Sequence, residues 1–173
     1  GHGALAERSV AEALPKDCPY TIRCVSDIMG SNGSTSMATI CSASLALMDA
    51  GIEMPQHVAG ISVGMVTGDD EHERVFITDI LGSEDHYGDM DFKIAGTRSG
   101  ITGFQLDLKV AGLDIEGMYE AMLQNRVARE KILDIMEECM PSTRDKMSKY
   151  APKMREVQIK PDKIGTLIGP GGK

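Results

Sequence analysis

The chain has 173 residues, 42% of them hydrophobic, enough for one sizeable core that buries roughly two-thirds of the unfolded surface. Aromatic residues are only 4% and tryptophan is absent, so Leu, Ile, Val and the 12 Met must fill that core. A formal charge of −8 excludes a protein that holds nucleic acid through its overall field; a polyanion partner would need a local basic patch.

Residues 4–14 carry strong helix formers and end before Pro15, a stop signal. Residues 20–29 alternate, with Tyr20, Ile22 and Cys24 on one face and Thr21, Arg23 and Val25 on the other, which predicts a strand. The small residues 30–36 break it, and Met37, Ile40, Cys41, Leu45 and Met48 then recur at helical spacing up to Gly51. Beyond Pro55, strands are predicted over 58–66 and 74–80 about a Gly68-Asp69-Asp70 turn, and over 92–95 and 104–110 about Ser99-Gly100. In the last of these, Phe104, Leu106, Leu108 and Val110 alternate with Gln105, Asp107 and Lys109, giving one buried face and one wet face. A long helix is predicted from its cap at Asp114 to Met140, stopped by Pro141, with Arg126, Arg129 and Lys131 on its surface. A sheet with covering helices makes an α+β layer structure.

The character changes after residue 140. Residues 141–153 are polar and read as a linker, 154–159 as a strand and 162–168 as a short helix before a glycine-rich end. A strand and one helical turn bury no core of their own, so 154–173 is expected to be the start of an incomplete second module. Cys18, Cys24, Cys41 and Cys139 show neither C-x-x-C pairs nor zinc-finger spacing, and buried free thiols in a reducing compartment are expected. No run approaches the ~18 apolar residues of a membrane span, and no leader pattern opens the chain. With no initiator methionine, Gly1-His2-Gly3 reads as the interior of something longer.

Two stretches carry candidate chemistry. Gly33-Ser34-Thr35-Ser36 stands where a helix begins, and unpaired backbone N–H groups and hydroxyls there suit an anion such as phosphate. Taken alone, Ser34 or Thr35 as a plain N-cap is the more ordinary reading. Residues 79–93 hold five acids with His86 and Lys93, and are expected to form an acidic loop between strand ends. In extended chain, Asp89, Asp91 and Lys93 share a face. Such a group suits a hard divalent ion beside a phosphate, although acids between strands are commonly just solvated turn residues.

Ser31-Asn32-Gly33-Ser34-Thr35-Ser36-Met37-Ala38, the Ser44–Gly51 run, Val58-Ala59-Gly60-Ile61 and the Asp79–Lys93 stretch together resemble the bacterial polynucleotide phosphorylase (polyribonucleotide nucleotidyltransferase) family. The likeness falls in the second ribonuclease PH-like domain of that family and covers nearly the whole chain. Ile164-Gly165-Thr166-Leu167-Ile168-Gly169-Pro170-Gly171-Gly172-Lys173 is similar to the opening of a KH domain, whose G-x-x-G loop clamps an RNA backbone.

The resemblance implies an α+β, ribonuclease PH-like fold with a mixed sheet packed on helices. Residues 1–140 would be the C-terminal part of the catalytic domain, 141–153 a linker and 154–173 a truncated KH domain. It implies a cytoplasmic, homotrimeric 3′-to-5′ exoribonuclease acting in mRNA degradation, in which inorganic phosphate is the co-substrate and nucleoside diphosphates are released reversibly from the single-stranded 3′ end of RNA. Further partners would be proteins of an RNA-degradation assembly. Carried over residue by residue, Thr35 and Ser36, with Ser34, bind phosphate; Asp85 and Asp91 ligate Mg²⁺ or Mn²⁺; Lys93 neutralises charge on the transferring phosphoryl group; and His2 contacts phosphate or RNA. Gly169, Pro170, Gly171 and Gly172 would form the KH loop. The family's paired arginines, first PH-like half, helical domain, KH body and S1 domain are not in the chain, so it is expected to be inactive alone. A non-catalytic PH-like ring subunit that binds RNA and a metal-dependent phosphohydrolase are the alternatives. The first would lack the acidic pair or the hydroxyl loop; the second would release monophosphates.

Overall fold

The computed structural model of the chain describes residues 1–70, 73–153 and 155–172. In chain order the elements are α1 (His2–Ala11), α2 (Thr35–Ala50), β1 (Ala59–Thr67), β2 (Arg74–Thr78), α3 (Gly82–Tyr87), β3 (Met90–Gly96), β4 (Ile101–Leu108), α4 (Ile115–Cys139) and α5 (Ile164–Ile168), the last preceded by a 3-10 turn at Pro161–Lys163. The strands form one sheet in the order β2-β1-β3-β4. Each neighbouring pair is antiparallel, which corrects the expected mixed sheet. β2 and β3 run in the same direction, but β1 lies between them, so no parallel pair forms.

Helices cover both faces. Leu5 and Val10 of α1 and Met37, Ile40, Leu47 and Met48 of α2 pack with Val58 and Ala95 on one side. Val63, Met65, Met90, Phe92 and Ile94 pack with Ala121 of α4 on the other. The two-residue period of β3 therefore sends Met90, Phe92 and Ile94 toward α4 and leaves Asp91, Lys93 and Ala95 on the α1/α2 side. Gly60 has no side chain because Met37 and Ile40 fill that space; a Cβ there would lie 2.8 Å from the Met37 sulfur.

The long helix begins as anticipated, with Asp114 Oδ1 accepting from Gly117 N at 2.6 Å. Its inward positions include Ala121, Asn125, Arg129 and Leu133, four apart. Arg129 is thus buried, not on the surface as expected. The stripe facing the sheet passes through it, its Nη1 donates to Asn125 Oδ1 at 3.3 Å, and burial lowers its pKa. Asn125 Nδ2 in turn donates to the Ile61 carbonyl at 2.8 Å, on the part of β1 that β2 does not pair with. Cys41 meets the Gly60 N–H and carbonyl on the same uncovered stretch, so side chains from two helices finish an edge that the sheet leaves open.

Other expectations change with the available partners. Residues 20–29 form no strand: Tyr20 and Ile22 pack on the α1/α2 core, but the segment pairs with no described strand, and Val25 and Met29 lie exposed. Alternation alone does not make a strand without a neighbour to bond. The same holds for 155–159, while Met154, where that predicted strand began, lies outside the described residues. The supposed acidic loop 79–93 is mostly structured, as α3 and the first half of β3. All four cysteines are free, but Cys24 and Cys139 are exposed, contrary to expectation. Residues after Pro141 do not simply leave the domain: Arg144 N donates to Met48 O at 3.1 Å and Arg144 Nε pairs with Asp49 at 2.5 Å, tying that segment to the end of α2. No helix among the described residues is long and apolar enough to cross a membrane.

His57 joins three parts of the fold. Its Nε2 lies 2.7 Å from the Met140 carbonyl and its Nδ1 3.3 Å from Ser44 Oγ, which itself accepts from Val58 N at 3.0 Å. A carbonyl only accepts, so Nε2 carries the proton and, in the neutral ring, Nδ1 accepts from Ser44. The buried imidazole thereby ties the end of α4 to α2 and to the start of β1. His57→Leu takes the donor from the Met140 carbonyl and the acceptor from the Ser44 hydroxyl proton, and should cost about 2–4 kcal/mol of unfolding free energy. Urea titration checks this; a loss below about 0.5 kcal/mol would show the network to be dispensable.

Candidate functional site

The helix start is made by two residues in left-handed conformations. Gly33 has φ +111° and Ser34 φ 47°, and together they turn the chain into α2. At Gly33 any side chain is also blocked, since a Cβ would stand 2.7 Å from the Ile80 carbonyl oxygen. Ser34 occupies the N-cap position but makes no capping bond; its hydroxyl donates to Ser62 Oγ at 2.8 Å. The plain N-cap reading therefore fails, and Ser34 also has its proton committed away from any anion. Thr35 lines the cavity at this helix end. Ser36 sits behind it, fully buried, with a hydroxyl that has no partner, and is not among the lining residues.

The acidic half approaches from β3 and α3. Asp91 and Lys93, adjacent on one face of a fully buried strand, form an ion pair and are only 3% and 8% exposed. Burial raises the Asp91 pKa, a shift that the Lys93 contact partly offsets. Asp91 Oδ2 faces Lys93, while its buried Oδ1 has no partner. Asp85, on α3, lines the same cavity, and its Oδ1 lies 3.5 Å from Lys109 Nζ. Ser31, Gly33, Ser34, Thr35, Asp85, Asp91 and Lys93 thus surround one hollow of about 230 Å³, with His2 of α1 and Ile80 closing it. That is several water volumes, room for a phosphate-sized group. A larger hollow of about 520 Å³, between Thr78 and the α4 residues Gln124, Val127 and Lys131, contains no carboxylate and lacks comparable chemistry.

Other acids of the stretch have structural work. Asp89 accepts from both the N–H and the hydroxyl of Thr67, each at 2.7 Å, which joins β3 to the end of β1 and lowers its pKa. Glu84 Oε2 accepts from Leu81 N at 2.7 Å and so caps α3. His86 is exposed, stacked edge-on to Tyr87, and does not line the cavity. Gly169, Pro170, Gly171 and Gly172 form a turn after α5 that contributes nothing to the cavity. Sequence reasoning missed Ser31, which falls within the quoted loop, and Ser62, whose only signal is a polar residue in an apolar strand.

Among the described residues no cluster of three or more His, Cys, Asp or Glu side chains could hold a metal unaided. Two carboxylates that line one hollow, one of them with a buried oxygen that has no partner, fit an ion that takes its remaining oxygens from phosphate and water.

Residues 2–53 match the family model described as 3′ exoribonuclease family, domain 1. The polyribonucleotide nucleotidyltransferase of Methylacidiphilum infernorum is 58% identical over 179 residues, covering 100% of this chain and 25% of that protein. The enzyme of the same name from Thermosipho melanesiensis is 55% identical over 175 residues, with the same coverage of 100% and 25%. The chain therefore spans about a quarter of the length of the curated relatives it matches. Among solved structures, rice (Oryza sativa) Rrp46 superposes with a TM-score of 0.53 at 20% identity, covering 64% of this chain and 49% of the other. The chain has a ribonuclease PH-like α+β fold.

The Asp89 anchor gives a pH test of this geometry. Its folded pKa is depressed, so its contribution is complete above the unfolded carboxylate value near ~4 and is lost as pH falls through the lower folded value. Asp89→Asn should be less stable than the parent at neutral pH, and the difference should vanish on acidification. Denaturant curves across the acid range measure it; a gap that is constant with pH would contradict the anchor.

Proposed function

We propose that this chain carries the phosphate and metal site of a polyribonucleotide nucleotidyltransferase, a phosphorolytic 3′-to-5′ exoribonuclease. The observation that carries the reading is the single cavity in which Thr35 and the start of α2 face Asp85, Asp91 and Lys93. The relatives that match over the full length of the chain bear that enzyme's name, which supports it further.

In this reading an oxygen of inorganic phosphate attacks the terminal phosphodiester phosphorus of RNA. The new P–O bond forms as the bond from phosphorus to the preceding nucleotide's 3′ oxygen breaks, that oxygen takes up a proton, and the terminal nucleotide leaves as its diphosphate. The reverse direction extends RNA from diphosphates. The helix start and the Thr35 hydroxyl hold the phosphate by preorganised donors, and His2 stands at the cavity wall to contact phosphate or RNA. Lys93 places a buried positive charge beside the transferring group, where low dielectric strengthens it. Asp85 and Asp91 would hold Mg²⁺ or Mn²⁺, which supplies charge neutralisation to the phosphoryl oxygens. Ser36 lies in the next layer, its unpaired hydroxyl available to a bound anion only if the helix start adjusts.

The resemblance also supports a cytoplasmic homotrimer acting in mRNA degradation, alone or with partner proteins, and the free cysteines agree with a reducing compartment. Ile115, Tyr119, Leu123, Val127 and Ile135 are exposed along α4, an apolar surface that agrees with assembly. For residues 154–173 the KH reading is supported by the Gly169-Pro170-Gly171-Gly172 turn after a short helix, and by Lys153, Arg155, Lys160 and Lys163 in the sequence leading to it. The alternative of a non-catalytic ring subunit is disfavoured by the retention of Asp85, Asp91, Lys93 and Thr35 in one cavity.

Full-length protein and this chain, each given RNA with and without phosphate, provide the test. The intact protein should release nucleoside diphosphates only with phosphate present, and the chain alone should release none. Monophosphates without phosphate would indicate a hydrolase instead. In the intact protein, Asp91→Asn should abolish diphosphate release and Lys93→Ala should lower kcat by roughly 10²–10³. Rates near the parent value at saturating Mg²⁺ would remove either residue from the site.

A further inference from the structure

The two halves of the cavity come from segments far apart in sequence, and one residue touches the supports of both. Ser62, in β1, is fully buried. Its hydroxyl oxygen accepts from Ser34 Oγ at 2.8 Å and from Ile80 N at 3.3 Å. Its carbonyl accepts from Asp79 N at 2.9 Å. In the β1–β3 register it stands directly opposite Lys93.

The backbone gives these bonds a particular meaning. Among the described residues, Ser34 (φ 47°) and Asp79 (φ 60°) are the non-glycine positions with positive φ. Both are left-handed conformations that L residues adopt only when their surroundings hold them there. Both bond to Ser62, one through its side chain and the other through its backbone. Ser34 forms the turn that leads into α2 and Thr35, while Asp79 forms the turn that leads toward α3 and Asp85. These turns also touch each other: Gly82 N donates to the Asn32 carbonyl at 3.0 Å, and Gly33 lies against the Ile80 carbonyl.

We propose that Ser62 is a positioning residue that fixes the spacing between the phosphate-binding helix start and the Asp85, Asp91 and Lys93 group. It contacts no substrate in this reading, which rests on the phosphorolytic assignment above. Its hydroxyl bonds Ser34 and the Ile80 N–H next to Asp79 while its carbonyl holds Asp79 itself, so the two strained turns share one support, and the register with Lys93 ties that support to the strand bearing the charges.

The test compares Ser62→Ala, Ser34→Ala and the double variant in the full-length protein. Each is read by steady-state kinetics against phosphate and against RNA, and by hydrogen exchange of peptides covering 30–36 and 79–85. Ser62→Ala should raise KM for phosphate about tenfold, the scale of one lost hydrogen bond, with KM for RNA unchanged. Exchange should quicken in both peptides and remain as in the parent over α4. Ser34→Ala, which removes the same side-chain bond from a half-buried position, keeps the test open if Ser62→Ala folds poorly; it should raise KM for phosphate and loosen the first peptide. The double variant should be no worse than Ser62→Ala.

A purely structural role would reduce active enzyme, lowering kcat for every substrate without a selective rise in KM for phosphate, and that result overturns the proposal. So does unchanged exchange in both peptides, or faster exchange with unchanged KM for phosphate. If the parent enzyme releases no diphosphate, the phosphorolytic reading falls by itself, and exchange still decides whether Ser62 holds the Ser34 and Asp79 turns together.

Discussion

The structure depends on the alternation of β3. One strand, buried along its whole length, sends three apolar side chains toward α4 and an aspartate, a lysine and an alanine toward α1 and α2. An ion pair in such a place is a poor source of stability, because desolvating both charges costs about as much as their attraction returns. Apolar residues of similar volume would serve the fold at least as well. The Asp91–Lys93 pair is therefore better explained by the cavity it faces, and the net upward shift of Asp91 shows that burial outweighs the lysine's help. What β3 gives in exchange is rigidity: both charges sit on a strand paired on either side, so neither drifts relative to the other.

Strain is concentrated on the same side of the sheet. Gly33 and Ser34 turn the chain into α2, and Asp79 turns it toward α3, all within the same small neighbourhood. A fold selected only for stability would relax two left-handed non-glycine residues, since each costs of order 1 kcal/mol or more. Their retention beside Ser62 and Lys93 means that the surrounding hydrogen bonds over-determine the turns. A relaxed serine cap would have folded its own hydroxyl over the first backbone N–H groups; here the Ser34 hydroxyl is turned to Ser62 instead.

Much of this was legible in the sequence, though unevenly. Period-two and period-3.6 patterns found both hairpins and the long helix, and Asp114 and Pro141 marked its ends. Asp85, Asp91, Lys93, Thr35 and His2, named by resemblance, do meet in one cavity. What escaped was decided by tertiary context. The same period that marked a strand at 20–29 had no described strand to pair with, and the same helical face that buried Leu133 carried Arg129 inward with it. Among the acids of 79–93, composition does not distinguish Asp89, consumed by Thr67, or Glu84, consumed by the α3 start, from Asp85 and Asp91. Ser62 was invisible because its importance lies in what reaches it, and hydrogen-bond partners 18 and 28 residues distant leave no local pattern.

Charge then limits how the cavity can act. At −8 the chain as a whole repels phosphate and RNA, and at physiological salt that field fades over about 8 Å. In the proposed function, anion binding would therefore come from groups at contact range: the helix start, the Thr35 hydroxyl and the buried lysine. These gain strength from the same desolvation that makes the site costly to fold, and they discriminate by position more than by net charge. Residues 153–172 are by contrast net basic, with Lys153, Arg155, Lys160 and Lys163 against Glu156 and Asp162. Charge is thus distributed unevenly along the chain: the acids of the cavity are packed on the sheet side, where Lys93 already pairs with Asp91 and Lys109 with Asp85, so a metal there would have to share those carboxylates with lysines.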